Sequence, residues 1–175
     1  FELMKQCLKL HKLNNDVKDI AIKCGIIDIT NSTHLSQYKS DISICDLVKH
    51  IKGIKNIDKR IMHGDPTVVD DIAVTGKKNL LSFASKFCAY HNICIYGKDD
   101  YSIYDGVLAE NLPIIFKNKK HKDYKVYFKD KEVKLDNSTL FGISNYNKKY
   151  NYETYNEVIG YLLENIKLKN KSLEE

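Results

Sequence analysis

Two side chains in this sequence could do chemistry together, Lys86 and Asp105, which stand nineteen residues apart. Lys86 lies within the strongly apolar run from Asn79 to His91. Burial among apolar groups disfavours an ammonium, and a lysine that loses its proton becomes a nucleophilic amine. The same pattern suits a lysine whose stem packs while its ammonium reaches water. Asp105 follows Tyr101-Ser-Ile-Tyr104 at an expected helix start. A carboxylate there either caps the helix or stabilises positive charge in a reaction. His91 ends the apolar run, where a cap on helix carbonyls is the simpler role and acid–base work the sharper one. Ser82, Ser85 and His91 lack the nucleophile elbow of a hydrolase.

Helices must position these groups. Apolar spacing predicts a first helix over Phe1 to Leu13, using Phe1, Leu3, Met4, Leu8 and Leu10. A second is expected from an Asn15 cap to Cys24, ended by Gly25. Asn31 to Ser40 reads as turn-rich, and Asp41 to Ile51 as helical through Ile44, Leu47, Val48 and Ile51. Asp65 is expected as an N-cap with Pro66 as first helical residue, leading into Val68, Val69, Ile72 and Ala73. A Gly76-Lys77-Lys78 turn precedes the apolar helix, and Tyr101 to Leu112 reads as a further helix stopped by Pro113. Alternation over Tyr124 to Leu135 predicts one small β-hairpin, and Tyr152 to Ile166 an amphipathic helix. The expected class is mainly α, in one domain spanning residues 1–175.

The segment Leu80-Leu-Ser-Phe-Ala-Ser-Lys-Phe-Cys-Ala-Tyr-His91, with Tyr101-Ser-Ile-Tyr-Asp105, resembles the helix-hairpin-helix DNA glycosylases, in particular the 8-oxoguanine DNA glycosylase-like proteins. Lys86 and Asp105 match the family's lysine and aspartate in type and spacing, and the resemblance covers about residues 65–113. It implies a compact helix-hairpin-helix fold and excision of a modified base from double-stranded DNA. Lys86 would be a nucleophile forming a Schiff base, with lyase chemistry following, and Asp105 a catalytic carboxylate. It also implies DNA contacts at Lys77, Lys78, Ser82, Ala84 and Ser85. A base pocket would be drawn from Tyr90, His91, Tyr101 and Tyr104, with Tyr96 nearby, because the target base must leave the stack. No metal or organic cofactor is implied. Ser82 and Ala84 replace two glycines of the family hairpin, and the proline usual before the aspartate is absent.

Those departures keep two other readings open: a non-catalytic DNA-binding module of the same fold, and a structural or protein-interaction domain. A net charge of +5 and pI near 8.8 suit a phosphate-bearing partner without selecting one. Basic runs at Lys117 to Lys122 and at Lys148-Lys149 could touch phosphates or simply be solvated turns. Five cysteines without a C-x-x-C spacing predict free, mostly buried thiols. No apolar run approaches the roughly 20 residues of a membrane span, so the expected location is the cytoplasm. The start on Phe1 and the polar end at Glu175 suit either a fragment or a trimmed chain.

Overall fold

A computed structural model describes residues 1–31, 33, 35, 43–75, 78–116, 125–128, 131–133 and 152–165. These residues are mainly helical. Internal contacts divide the chain into two compact units, Phe1–Gly106 and Val107–Glu175.

The first unit begins with α1 (Glu2–Leu10), which buries Met4 and Leu8. Phe1, Leu3 and Leu10 are exposed, so the inward stripe is narrower than the apolar count predicts. Helix α2 (Val17–Asn31) runs straight through Gly25. That glycine has helical company on both sides and no left-handed φ, so it does not end the helix. Asp16, rather than Asn15, supplies the start: its Oδ1 accepts the Lys18 N–H at 2.7 Å. Helix α3 (Ile44–Gly53) is capped by Ser43, whose side chain accepts from the Asp46 N–H. Leu47, Val48 and Ile51 are buried as expected, while Ile44 and its neighbour Cys45 are exposed.

A short helix the sequence reading did not anticipate, α4 (Ile57–Met62), buries Ile57 and Ile61. Helix α5 (Thr67–Ala73) follows Pro66, already in helical conformation, and Asp65 Oδ1 accepts the Thr67 N–H at 2.9 Å. Its buried Val68, Val69, Ile72 and Ala73 pack on α6 (Leu81–His91). Nine of the eleven residues of α6 are buried, which marks it as the central helix of the unit. Between them, β1 (Val74–Thr75) and β2 (Lys78–Asn79) pair antiparallel. The helix α6 continues into a π-helical turn at Asn92–Tyr96, closed by Gly97 in the left-handed region. Asn92, fully buried, then ties the chain back: its amide donates to Ile61 O at 2.8 Å and to Asp100, whose own N–H returns to Asn92 Oδ1.

Residues 101–105 are not helical, contrary to expectation. Helix α7 (Gly106–Phe116) starts after Asp105 and carries Pro113 inside rather than beyond its end. The side-chain and backbone tethers of Tyr101 and Tyr104, given below, hold the segment open and delay the helix.

In the second unit, β3 (Val126–Phe128) and β4 (Lys131–Val133) form an antiparallel pair within the predicted hairpin span, with Val126 opposite Val133. Helix α8 (Tyr152–Asn165) buries Tyr152, Tyr155, Val158 and Leu162 and exposes Leu163. Helix α8 packs on β3. Most of Asn31 to Ser40, and the basic runs at 117–122 and 148–149, lie outside the described residues.

Candidate functional site

A hydrogen bond joins the segments that carry Lys86 and Asp105. Ser85, fully buried, accepts the Tyr104 N–H on its Oγ at 2.9 Å and donates to Ser82 O at 3.2 Å. Lys86 and Asp105 are the residues that follow Ser85 and Tyr104 in the chain. Asp105 is exposed and immediately precedes α7, in the place of a helix cap. Lys86 is only 8% exposed, and its Nζ donates to Asn31 O and to Ser82 Oγ, both at 3.3 Å. Both acceptors are neutral, so no carboxylate neutralises this ammonium among the described residues.

Ser82 and Ala84 are not in a hairpin loop. Both sit in the first turn of α6, and the Ala84 N–H is spent on Leu80 O at 2.8 Å. The connection before α6 is the β1–β2 ribbon instead. Serine and alanine favour helix over the left-handed turn that glycines allow. Lys78 lies in β2 and Lys77 outside the described residues.

The aromatic residues expected around a base are engaged by the protein. Tyr90 is half-buried and donates to Asn31 Oδ1 at 2.5 Å. Tyr101, 3% exposed, donates to the carbonyls of Asp65 and Arg60 at 3.0 and 3.3 Å. Tyr104 is a core residue, and His91 is fully buried. Tyr96 donates to Asp58 O at 3.3 Å.

Around His91 the structure gathers a polar group that the sequence reading did not assemble. Asp58, at the start of α4, accepts the Asn14 side-chain amide at 2.7 Å and the Asn14 N–H at 3.1 and 3.2 Å. His91 Nε2 lies 3.5 Å from Asp58 Oδ1, out of hydrogen-bonding alignment, and neither ring nitrogen has a partner. The imidazole is packed between Phe87, stacked at 6.2 Å, and Tyr96 at 5.6 Å. Burial, with the charge of Lys23, pushes His91 down from 6.5 to about 3, so the ring is neutral at physiological pH. Lys23, fully buried on α2, donates to Leu13 O at 3.0 Å, with Phe87 5.9 Å from its Nζ. Burial draws this amine from 10.5 to about 8, against the opposing pull of Asp58 and Asp19. One signal was available in the sequence: a lysine on the apolar side of α2, between Ile20, Cys24 and Ile27. The partners come from 35 and 68 residues further along and carry no spacing rule.

Among the described residues no group of three or more His, Cys, Asp and Glu side chains could hold a metal, and no helix is long and apolar enough to cross a membrane. All five cysteines are free; Cys24, Cys88 and Cys94 are buried, Cys7 is intermediate and Cys45 exposed.

Residues 1–99 match the family HI_0787_N, described as an N-terminal domain, and the chain belongs to that family. A Haemophilus influenzae relative, described as an uncharacterized protein, is 38% identical over 94 residues, which are 51% of this chain and 47% of the relative. The chain therefore spans about half the length of the curated relative it matches. No solved structure matches it. The family match ends at residue 99, so it includes Lys86 and stops short of Asp105.

Proposed function

We propose that the chain is a helix-hairpin-helix glycosylase-like domain that excises a modified base from double-stranded DNA, with Lys86 as nucleophile and Asp105 as catalytic carboxylate. The observation that carries this reading is the Ser85–Tyr104 hydrogen bond, which sets the residue before Lys86 against the residue before Asp105. Two groups acting on one sugar need such a junction, because misplacement by about 1 Å can cost on the order of a hundredfold in rate. In the reaction, the neutral amine of Lys86 attacks C1′, and the C1′–N bond breaks with its electron pair leaving on the base, which takes up a proton. Opening of the sugar ring then gives the imine, and positive charge developing at C1′ is stabilised by the Asp105 carboxylate. No cofactor enters these steps. The cytoplasm is the compartment we expect for such chemistry.

A second reading, a DNA-binding module without catalysis, is favoured by one observation. The Lys86 amine is spent on Asn31 O and Ser82 Oγ, while Asp105 is exposed, so the lysine is held within the fold rather than presented to a sugar. Borohydride trapping on duplexes with an abasic site or 8-oxoguanine separates the two. The enzyme reading expects a covalent adduct that Lys86→Gln abolishes. Binding without adduct or base release supports the module.

A further inference from the structure

The C-terminal residue of α2, Asn31, touches both Lys86 and Tyr90. Its backbone carbonyl accepts the Lys86 ammonium at 3.3 Å, and its side-chain Oδ1 accepts the Tyr90 hydroxyl at 2.5 Å. The remaining side-chain valences are used within the helix end: Nδ2 donates to Thr30 Oγ1 at 2.8 Å and to Ile27 O at 3.3 Å, with Met4 Sδ at 3.9 Å. These contacts fix which way the amide faces, with Oδ1 toward Tyr90 and Nδ2 toward the helix end.

Helix chemistry explains the ammonium contact. The last four carbonyls of an α-helix lack intrahelical donors, and the negative end of the helix dipole favours a cation there. Lys86 supplies that cation from α6, four residues before Tyr90 and on the same face. One residue of α2 thus fixes the amine and the phenol of α6 together, across 55 and 59 residues of sequence.

We propose that Asn31 is a positioning residue for the Lys86 amine, a role that rests on the glycosylase-like reading. Its main-chain carbonyl anchors the ammonium at the end of α2, and its side chain, held by the Tyr90 hydroxyl, fixes where that carbonyl sits; it does not itself touch DNA. Tyr90 is then part of the amine's mount, with its hydroxyl turned to Asn31.

The test is single-turnover borohydride trapping on a duplex with one abasic site, with the parent, Asn31→Ala, Asn31→Asp, Tyr90→Phe and the Asn31→Ala/Tyr90→Phe double variant. Binding to the same duplex is measured alongside. Asn31→Ala should lower the trapping rate about ten- to a hundredfold while the Kd moves less than about twofold. Tyr90→Phe breaks the same hydrogen bond from its other end, so the double variant should be no slower than Asn31→Ala. Asn31→Asp keeps an acceptor for Tyr90 and should recover most of the rate that Asn31→Ala loses, a rescue that ties the loss to this hydrogen bond. An active parent with Asn31→Ala at the parental rate, or with Asn31→Asp as slow as Asn31→Ala, overturns the positioning role and leaves the glycosylase reading standing. A parent that binds the duplex and forms no adduct overturns that reading, and the role of Asn31 with it.

Discussion

The Oγ of Ser85 accepts the backbone N–H of Tyr104 at 2.9 Å, across nineteen residues of sequence. Both groups are buried, so the amide has no water to turn to if the hydroxyl is removed. An unsatisfied buried donor costs about 1–3 kcal/mol. Ser85→Ala should therefore lower unfolding stability by about that amount in urea titration, and weaken any activity that depends on Asp105. Unchanged stability and unchanged trapping would show that the junction is not held by this bond.

His91 gives the fold an acid limit. Its folded value, near 3, lies below the ordinary 6.5 of an unfolded chain. Between those two values the unfolded state binds the extra proton, so stability falls as pH drops from about 6.5 toward 3. The full effect is up to roughly 5 kcal/mol at 1.36 kcal/mol per unit. His91→Phe, which keeps an aromatic ring against Phe87, should remove most of this dependence. The check is urea denaturation at pH 4 and pH 7; an identical acid slope in both proteins contradicts the assignment.

Lys23 behaves in the opposite pH range. Its amine is held near 8 in the folded protein against 10.5 unfolded, so the unfolded state holds the extra proton between those values. Its contribution to stability therefore improves as pH rises from 8 to 10.5. Cys24 opposes this, since burial pushes its thiol up to about 12 and the unfolded thiolate forms first. Comparison with Lys23→Met isolates the lysine. The stability of Lys23→Met relative to the parent should fall by up to about 3 kcal/mol between pH 7 and pH 10.5. A difference constant over that range argues against a strained buried ammonium.

Two glycines make a paired test of the turns. Gly64 and Gly97 both have positive φ, at 70° and 67°. A side chain at either position pays the left-handed penalty of roughly 1–2 kcal/mol. At Gly64 a Cβ would also fall 2.8 Å from Asp100 Cβ, whereas nothing lies within 4 Å at Gly97. Gly64→Ala should therefore lower the Tm clearly more than Gly97→Ala, as thermal melts of the two variants will reveal. Equal losses would mean that the Asp100 loop yields freely.

Helices with local signals were legible in the sequence, and long-range features were not. The inward residues of α5 and α6 follow from apolar spacing, because a helix buried by its neighbours shows its pattern within a dozen residues. Gly25 misled because a glycine inside a well-packed helix costs only about 1 kcal/mol relative to alanine, which tertiary packing easily offsets. Pro113 also misled: it lies inside α7 although an interior proline removes a backbone donor and costs about 3 kcal/mol. Lys86 and Asp105, on which the proposed site rests, stand out in the sequence by type and spacing, and the Asp65 cap was visible beside Pro66. Asn31 was not, because its two contacts come from a helix more than fifty residues away. Nor was the gathering of Asn14, Lys23, Asp58 and His91, which depends on how four elements pack.

The most direct measurement is borohydride trapping with the parent, Lys86→Gln and Asp105→Asn on duplexes carrying 8-oxoguanine or an abasic site. The parent should form a covalent adduct and Lys86→Gln none, and base release by Asp105→Asn should be slowed by about a hundredfold or more while Kd holds. An adduct that persists in Lys86→Gln, or a parent that binds both duplexes and neither forms an adduct nor releases base, contradicts the glycosylase reading.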